Sequence, residues 1–299
     1  MDNNSFNSDS PAAMSSPEDI LSSSLHTLYC YSPITFSGTQ FTHKASGLTF
    51  VSPDTAPSNW VLHASSIWIA SLFLADHIED VALAPSCKNG QACVLELGAG
   101  SGLPGILFFK RFITTKPQVT VTLSDYPDDG ILSALKENIR INDIPPDSVR
   151  VVGHAWGQST SALGTFDVIF AADTLWNPDL HIPFCQTLSQ TLRRNDQARI
   201  YLVAGSHTGR WTIQRYLDKL GLFGLTVESV IERKVTGTFD SQEVYAEQMK
   251  REWRVEREEE EESERRAWVV WIVVKWADTF GISTSLSLCK GKYSKKTLD

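Results

Sequence analysis

The chain has no apolar stretch long enough to cross a bilayer, no cysteines spaced as C-x-x-C, and no run in which basic and aromatic residues alternate. Each absence removes a class of protein. The longest apolar run, AWVVWIVVKWA from Ala267, falls well short of the roughly 20 residues of a membrane-spanning helix and reads as a buried strand. Cys30, Cys87, Cys93, Cys185 and Cys289 are odd in number, and no N-terminal apolar signal segment precedes them. They are expected to be reduced thiols, mostly core filler, in a cytosolic or nuclear protein. The formal charge of −8 is concentrated in one place, because Glu256 to Glu264 holds seven glutamates against Arg257. The rest is nearly balanced, so no nucleic-acid surface is expected, and the glutamate run reads as a solvated, mobile loop.

The first 24 residues are rich in Ser, Asn and Pro and bury too little apolar surface to offset their ordering entropy, so they are expected to form a disordered tail. Residues 25–59 carry short alternating runs broken at Ser37-Gly38 and Ser46-Gly47, the pattern of an N-terminal hairpin extension. The main domain is expected over 60–280, with the acidic loop at 237–264 inside it and a C-terminal tail at 281–299. Asn59 is expected to cap a helix running to about Asp80, since Val61, Ala64, Trp68, Ala75 and Ile78 fall near helical spacing. Thereafter strands and helices alternate: CVLEL, VTVTLS, VRVV, FDVIFAA and RIYLVA are separated by helical segments. That alternation predicts an α/β fold with a mostly parallel sheet covered on both faces. Two last strands, near Leu225 to Arg233 and Trp268 to Lys275, have only the charged loop between them and are expected to pair antiparallel at one edge.

The densest signal is CVLELGAGSGLPGI, Cys93 to Ile106: an apolar run, an acid, then glycines at every second position. Gly98, Gly100 and Gly102 lack a Cβ, so the backbone can turn sharply there and touch a ligand. A dinucleotide fingerprint would need a glycine where Leu103 stands, and the third glycine comes one residue early. Glu96 would repel a pyrophosphate but accept hydrogen bonds from ammonium or hydroxyl groups. A cationic, phosphate-free cofactor fits this turn better; the plainer alternative is a glycine-rich turn with no ligand.

Ligands of such sheets sit beyond the carboxyl ends of the strands, so the residues that follow each strand are the candidates. Asp125 in SDYPDD comes about 25 residues after the glycine turn. It is either an acceptor for ribose hydroxyls or a turn acid before Pro127. Trp156 in GHAWG either covers an adenine ring or belongs to the core. Asp173 and Trp176 in AADTLWN would face the reacting end of the cofactor and the substrate, unless Asp173 only caps the helix that follows.

The set VLELGAGSGLPGI, SDYPDD, ENIRIN, GHAWG, FDVIFAADTLWN and the segment around Trp68 resembles the seven-stranded, S-adenosylmethionine-dependent methyltransferases of the lysine methyltransferase group called family 16. Within that group it is similar to fungal nicotinamide N-methyltransferase-like proteins and to elongation-factor lysine and N-terminal methyltransferases. The likeness runs from about Trp60 to Trp276. It implies a Rossmann-like fold, S-adenosylmethionine as cofactor and no metal. It also implies cofactor contacts from Trp68, Glu96, Gly98, Gly100, Asp125, Tyr126, Trp156 and Ala172. Asp173 and Trp176 match the family's D-x-x-aromatic motif, whose aromatic is usually Tyr or Phe, and take the catalytic roles. His207 matches a position where relatives often carry histidine, or else sits in a surface turn.

The activity so implied is methylation of a lysine on a protein, with a translation factor as a candidate partner. The alternatives are a small-molecule N-methyltransferase of the nicotinamide type and a cofactor-binding scaffold without activity. Family habit and the lack of a heptad imply a monomer. Presenting a neutral lysine amine at pH 7 costs about 4.6 kcal/mol, given a free pKa near 10.4. Asp173 would orient that amine or help move its proton, and Trp176 would hold the ammonium by ring-face attraction of about 0.5 to 2 kcal/mol. A nicotinamide nitrogen is already neutral and needs no such base.

Overall fold

The computed structural model describes residues 35, 37–55, 57, 62–83, 91–114, 118–145, 147–235, 249–257 and 260–278. The expected tails, Asn59, the first part of the acidic loop, and Cys30, Cys87 and Cys289 lie outside the described residues.

Strands β1 (Gln40–Thr42) and β2 (Thr49–Val51) form the antiparallel hairpin expected of the N-terminal extension, closed across Gly47. Helix α1 (Ile69–Asp76) leads into β3 (Gln91–Leu97), α2 (Leu103–Phe112), β4 (Gln118–Asp125), α3 (Asp129–Ile141) and β5 (Val149–Gly153). Then come β6 (Val168–Ala172), α4 (His181–Thr191), β7 (Arg199–Gly205), α5 (Arg210–Leu217) and β8 (Leu225–Lys234). The last elements are β9 (Lys250–Glu252), α6 (Glu262–Arg266) and β10 (Trp268–Trp276). Together β3 to β10 make one sheet of eight strands in the order β5-β4-β3-β6-β7-β10-β8-β9. β3 to β7 run parallel, and β10, β8 and β9 add an antiparallel end.

Successive side chains on a strand point to opposite faces, and the apolar runs use both. Val94, Val121, Phe170 and Val203 join one core with Phe73, Ile106 and Phe108. Leu95, Leu97, Ile169 and Leu202 join the other with Phe184, Leu188 and Tyr216. Being covered on both sides is why these strands read as continuous apolar runs rather than as alternating ones.

The sheet departs from expectation at its antiparallel end. β10 pairs with β8 as predicted, yet it lies between β7 and β8, and the edge is β9, an eighth strand drawn from the segment expected to be loop. A short helix, α6, also stands between the last two long strands. Nor is the glutamate run wholly solvated. Glu260 pairs with Arg210 and Arg251, while buried Glu232 pairs with Arg210, Arg251 and Arg257.

The helix expected from Asn59 begins only at Ile69. His63 has a left-handed backbone (φ 52°) and Trp68 an extended one (ψ 158°), so the preceding residues cannot continue a helix. The Trp68 indole donates to the His63 carbonyl at 2.9 Å and closes that segment into a turn. Ala64 and Trp68, spaced as if helical, instead line a cavity at the carboxyl ends of the parallel strands.

Candidate active site

A cavity of about 380 Å³ opens at the carboxyl ends of β3 to β7, covered by the turn before α1. Each of the five strands supplies a wall. The ends of β3 and β4 give Gly98, Gly100, Asp125 and Tyr126, and that of β5 gives His154 and Trp156. The ends of β6 and β7 give Ala172, Asp173, Thr174, Trp176 and His207, and the covering turn gives His63, Ala64 and Trp68. Strand order reverses between β3 and β6, the crevice where open sheets of this kind bind ligands.

At the floor, Gly98 and Gly100 have φ of 68° and 52°, which an L side chain adopts only with strain. A Cβ on Gly98 would meet Thr174 Cγ2 at 2.8 Å and the Trp156 ring at 3.4 Å. Asp125 Oδ2 accepts the Gly100 N–H at 2.7 Å, and Oδ1 accepts the Tyr126 N–H at 2.6 Å. Burial raises the Asp125 pKa to about 6 against these two bonds. Trp156 packs at 4.5 Å against Phe184, and burial keeps the adjacent His154 imidazole below its usual pKa.

Asp173 has a left-handed backbone (φ 57°), which turns it back toward the end of β7. A non-glycine residue held there costs about 1–3 kcal/mol, and the bond from its N–H to the Val203 carbonyl, 2.8 Å, fixes it. Oδ1 accepts the Gly205 N–H at 3.1 Å and lies 3.4 Å from His207 Nε2. Oδ2 is buried and has no hydrogen-bond partner among the described residues. Burial raises the Asp173 pKa, opposed by the His207 charge and the Gly205 N–H. Aromatic rings continue the wall: His207 stacks on Trp68 at 5.6 Å, and His63 meets Trp176 edge-on at 4.9 Å and Trp68 at 6.0 Å.

Of the residues expected from the sequence, all but Glu96 and Gly102 meet at this cavity; Gly102 turns toward Leu123 and Leu135 in the core. Glu96 is 2% exposed and turned away: its Oε2 accepts the Gly105 N–H at 2.9 Å, in the first turn of α2. It braces that helix start, and its burial raises its pKa well above the carboxylate norm. Asp173 caps no helix, and the turn after it is capped by Asn177. His207 lines the cavity from the turn that follows β7. His63, Ala64 and Thr174 were not foreseen, and for His63 and Ala64 the near-helical spacing of Val61, Ala64 and Trp68 pointed the wrong way.

The donor set suits S-adenosylmethionine. Among the described lining residues there are two carboxylates and no lysine or arginine, so a cation is favoured and a pyrophosphate is not. The volume falls in the range of small-molecule sites, about 300–1,000 Å³. A doubly wound sheet with a glycine turn after its first parallel strand and an acid after its second is common to dinucleotide-binding folds and to Rossmann-like, S-adenosylmethionine-dependent methyltransferases, and the lining favours the second class. The chain belongs to the lysine methyltransferase family, whose profile matches residues 62–220. It is similar to the protein N-terminal and lysine N-methyltransferase efm7 of Emericella nidulans, 27% identical over 190 residues, or 58% of this chain and 70% of that one. The Candida glabrata protein of the same name is 32% identical over 149 residues, 45% of this chain and 52% of that one. A TehB-like methyltransferase structure from Corynebacterium glutamicum overlays with a TM-score of 0.43 at 17% identity, covering 73% of this chain and 95% of the other.

Proposed function

We propose that this enzyme methylates an amine of a protein substrate, a lysine or N-terminal amine, at the Asp173 end of the cavity. The observation that carries the reading is the Asp173 carboxylate itself: buried, strained, bonded through Oδ1 and, among the described residues, without a partner at Oδ2, beside a wall of aromatic rings. An ammonium group supplies the missing donor and is drawn to ring faces. The relatives named as protein N-terminal and lysine methyltransferases support the same class.

In this reading Gly98, Gly100, Asp125, Tyr126, Trp156 and Ala172 hold the cofactor, with the Asp125 carboxylate accepting the ribose hydroxyls and Trp156 covering the adenine. Bound S-adenosylmethionine supplies an electrophilic methyl on a sulfonium. The protein contributes alignment, an effect worth on the order of 7–11 kcal/mol when the reacting groups are well oriented. Asp173 receives the ammonium, fixes its direction and, as the amine turns nucleophilic, sits within reach of the departing proton. Trp176 closes the channel beside it, and its larger indole leaves less width than the Tyr or Phe usual at this position.

Transfer of labelled methyl into a soluble protein extract, with nicotinamide offered in parallel, tests the proposal. Resemblance to elongation-factor methyltransferases makes a translation factor the first purified protein to offer. Methylated lysine or N-terminal residues in a protein band are expected. Labelled nicotinamide with unlabelled protein would overturn the reading.

A further inference from the structure

His207 occupies the 3-10 turn Ser206–Thr208 just after β7, with its Nε2 facing Asp173 Oδ1 at 3.4 Å. Its ring lies nearly parallel to Trp68, 29° between planes. The turn is held from outside: Ser206 Oγ donates to the Arg265 carbonyl at 2.7 Å, and Arg210, which opens α5, is tied to Glu232 and Glu260. Room for the pair exists only because residue 205 is glycine. Its backbone (φ −69°) suits any residue, yet a Cβ there would come within 2.6 Å of the His207 ring and 3.2 Å of Asp173 Oδ1.

We propose that His207 is a positioning residue for the transfer step: with the Gly205 N–H it holds Oδ1 of Asp173, so that the substrate amine is met by Oδ2. The inference rests on the amine-methylating reading above and deepens it. A short carboxylate side chain in a partly apolar wall otherwise has two equivalent oxygens and free rotation about its last bond. Anchoring one oxygen to an imidazole and a backbone amide singles out the other. The imidazole also opposes the burial that would protonate Asp173. Around the pair, His63 and Asp125 line the same cavity; Arg210, Glu232, Glu264, Arg265 and Arg266 lie on the elements behind the turn, and Glu260 in the loop before α6.

Three variants test this: His207→Phe, which keeps a stacking ring but no nitrogen; His207→Gln, whose amide can still donate to Oδ1; and Gly205→Ala, which displaces an intact imidazole. The readouts are kcat and KM on the protein substrate, S-adenosylmethionine affinity by calorimetry, and the titration midpoint of the Asp173 carboxyl carbon by NMR. His207→Phe is expected to lower kcat about 10- to 100-fold with cofactor affinity held within about twofold, and to raise the Asp173 midpoint. Gly205→Ala should follow it, and His207→Gln should recover most of the lost kcat. Undiminished kcat in His207→Phe, equal losses in the Gln and Phe variants, or an unmoved midpoint would overturn the role. A wild-type enzyme that methylates no protein amine defeats the functional reading instead, and the midpoint, read without turnover, still decides the role of His207.

Discussion

Asp125 at the end of β4 accepts the N–H of Gly100, just past the end of the neighbouring β3, at 2.7 Å. One acid thereby fixes the glycine turn and presents itself to the cavity. Burial raises its pKa to about 6 from 3.8. In the cofactor-free protein the native state therefore holds this proton more tightly than the unfolded chain does. The group's contribution to stability is greatest below the ordinary value and is lost as pH rises toward about 6.

Cofactor binding should show the opposite trend, because ribose hydroxyls donate and only the ionised carboxylate accepts both. Calorimetry should find S-adenosylmethionine bound about tenfold more weakly near pH 5 than near pH 7.5, and Asp125→Ala should weaken binding at both. A flat profile, or unchanged affinity in the variant, would remove Asp125 from the ribose role.

Glu96 should behave as a structural acid. Glu96→Ala leaves the Gly105 N–H unpaired in the first turn of α2 and should cost about 1–3 kcal/mol in urea denaturation. Glu96→Gln keeps an acceptor there and should retain the wild-type cofactor affinity. A large affinity loss in the Gln variant would place Glu96 at the ligand after all.

Asn138 is fully buried in α3 and clips three parts together: Nδ2 donates to the carbonyls of Val51 and Ser101, and Oδ1 accepts the Val51 N–H. Asn138→Ala should lose roughly 3 kcal/mol or more, since several buried backbone groups are left without partners. Hydrogen exchange should show the loss concentrated in β2 and the glycine turn; uniform exchange across the sheet would contradict the clip.

Glu232 is 1% exposed among Arg210, Arg251 and Arg257. Removing one partner of a buried ionic group costs about 3–5 kcal/mol, because the remaining charges are left uncompensated. Glu232→Ala should show that loss by thermal unfolding, with added proteolysis at the β9 segment. Removing exposed Glu252, paired only with Arg254 among the described residues, should change stability by no more than about 1 kcal/mol.

The parallel half of the fold was legible because its inner strands, β3, β4, β6 and β7, are buried on both faces, and because its strands lead into residues of distinct chemistry: Gly98, Asp125, Trp156 and Asp173. The antiparallel end was less so. Lys250 to Glu252 carries no apolar residue, and only its pairing with β8 makes it a strand. Charge counting read Glu260 as solvated because it cannot reveal that arginines from α5 and β9 converge there. Periodicity failed between His63 and Trp68, where a left-handed residue interrupts a helical pattern. Glu96 stands out in the sequence as an acid closing an apolar strand, but sequence does not tell which way a buried carboxylate turns, and the structure turns it to the Gly105 N–H.

The most direct measurement sets kcat on the protein substrate beside S-adenosylmethionine affinity in Asp173→Ala. With Asp173 receiving the amine while the cofactor is held at the Asp125 end, kcat should fall by about 100-fold or more while affinity stays within about threefold. Full turnover, or a loss of turnover explained wholly by lost cofactor binding, would contradict the assignment.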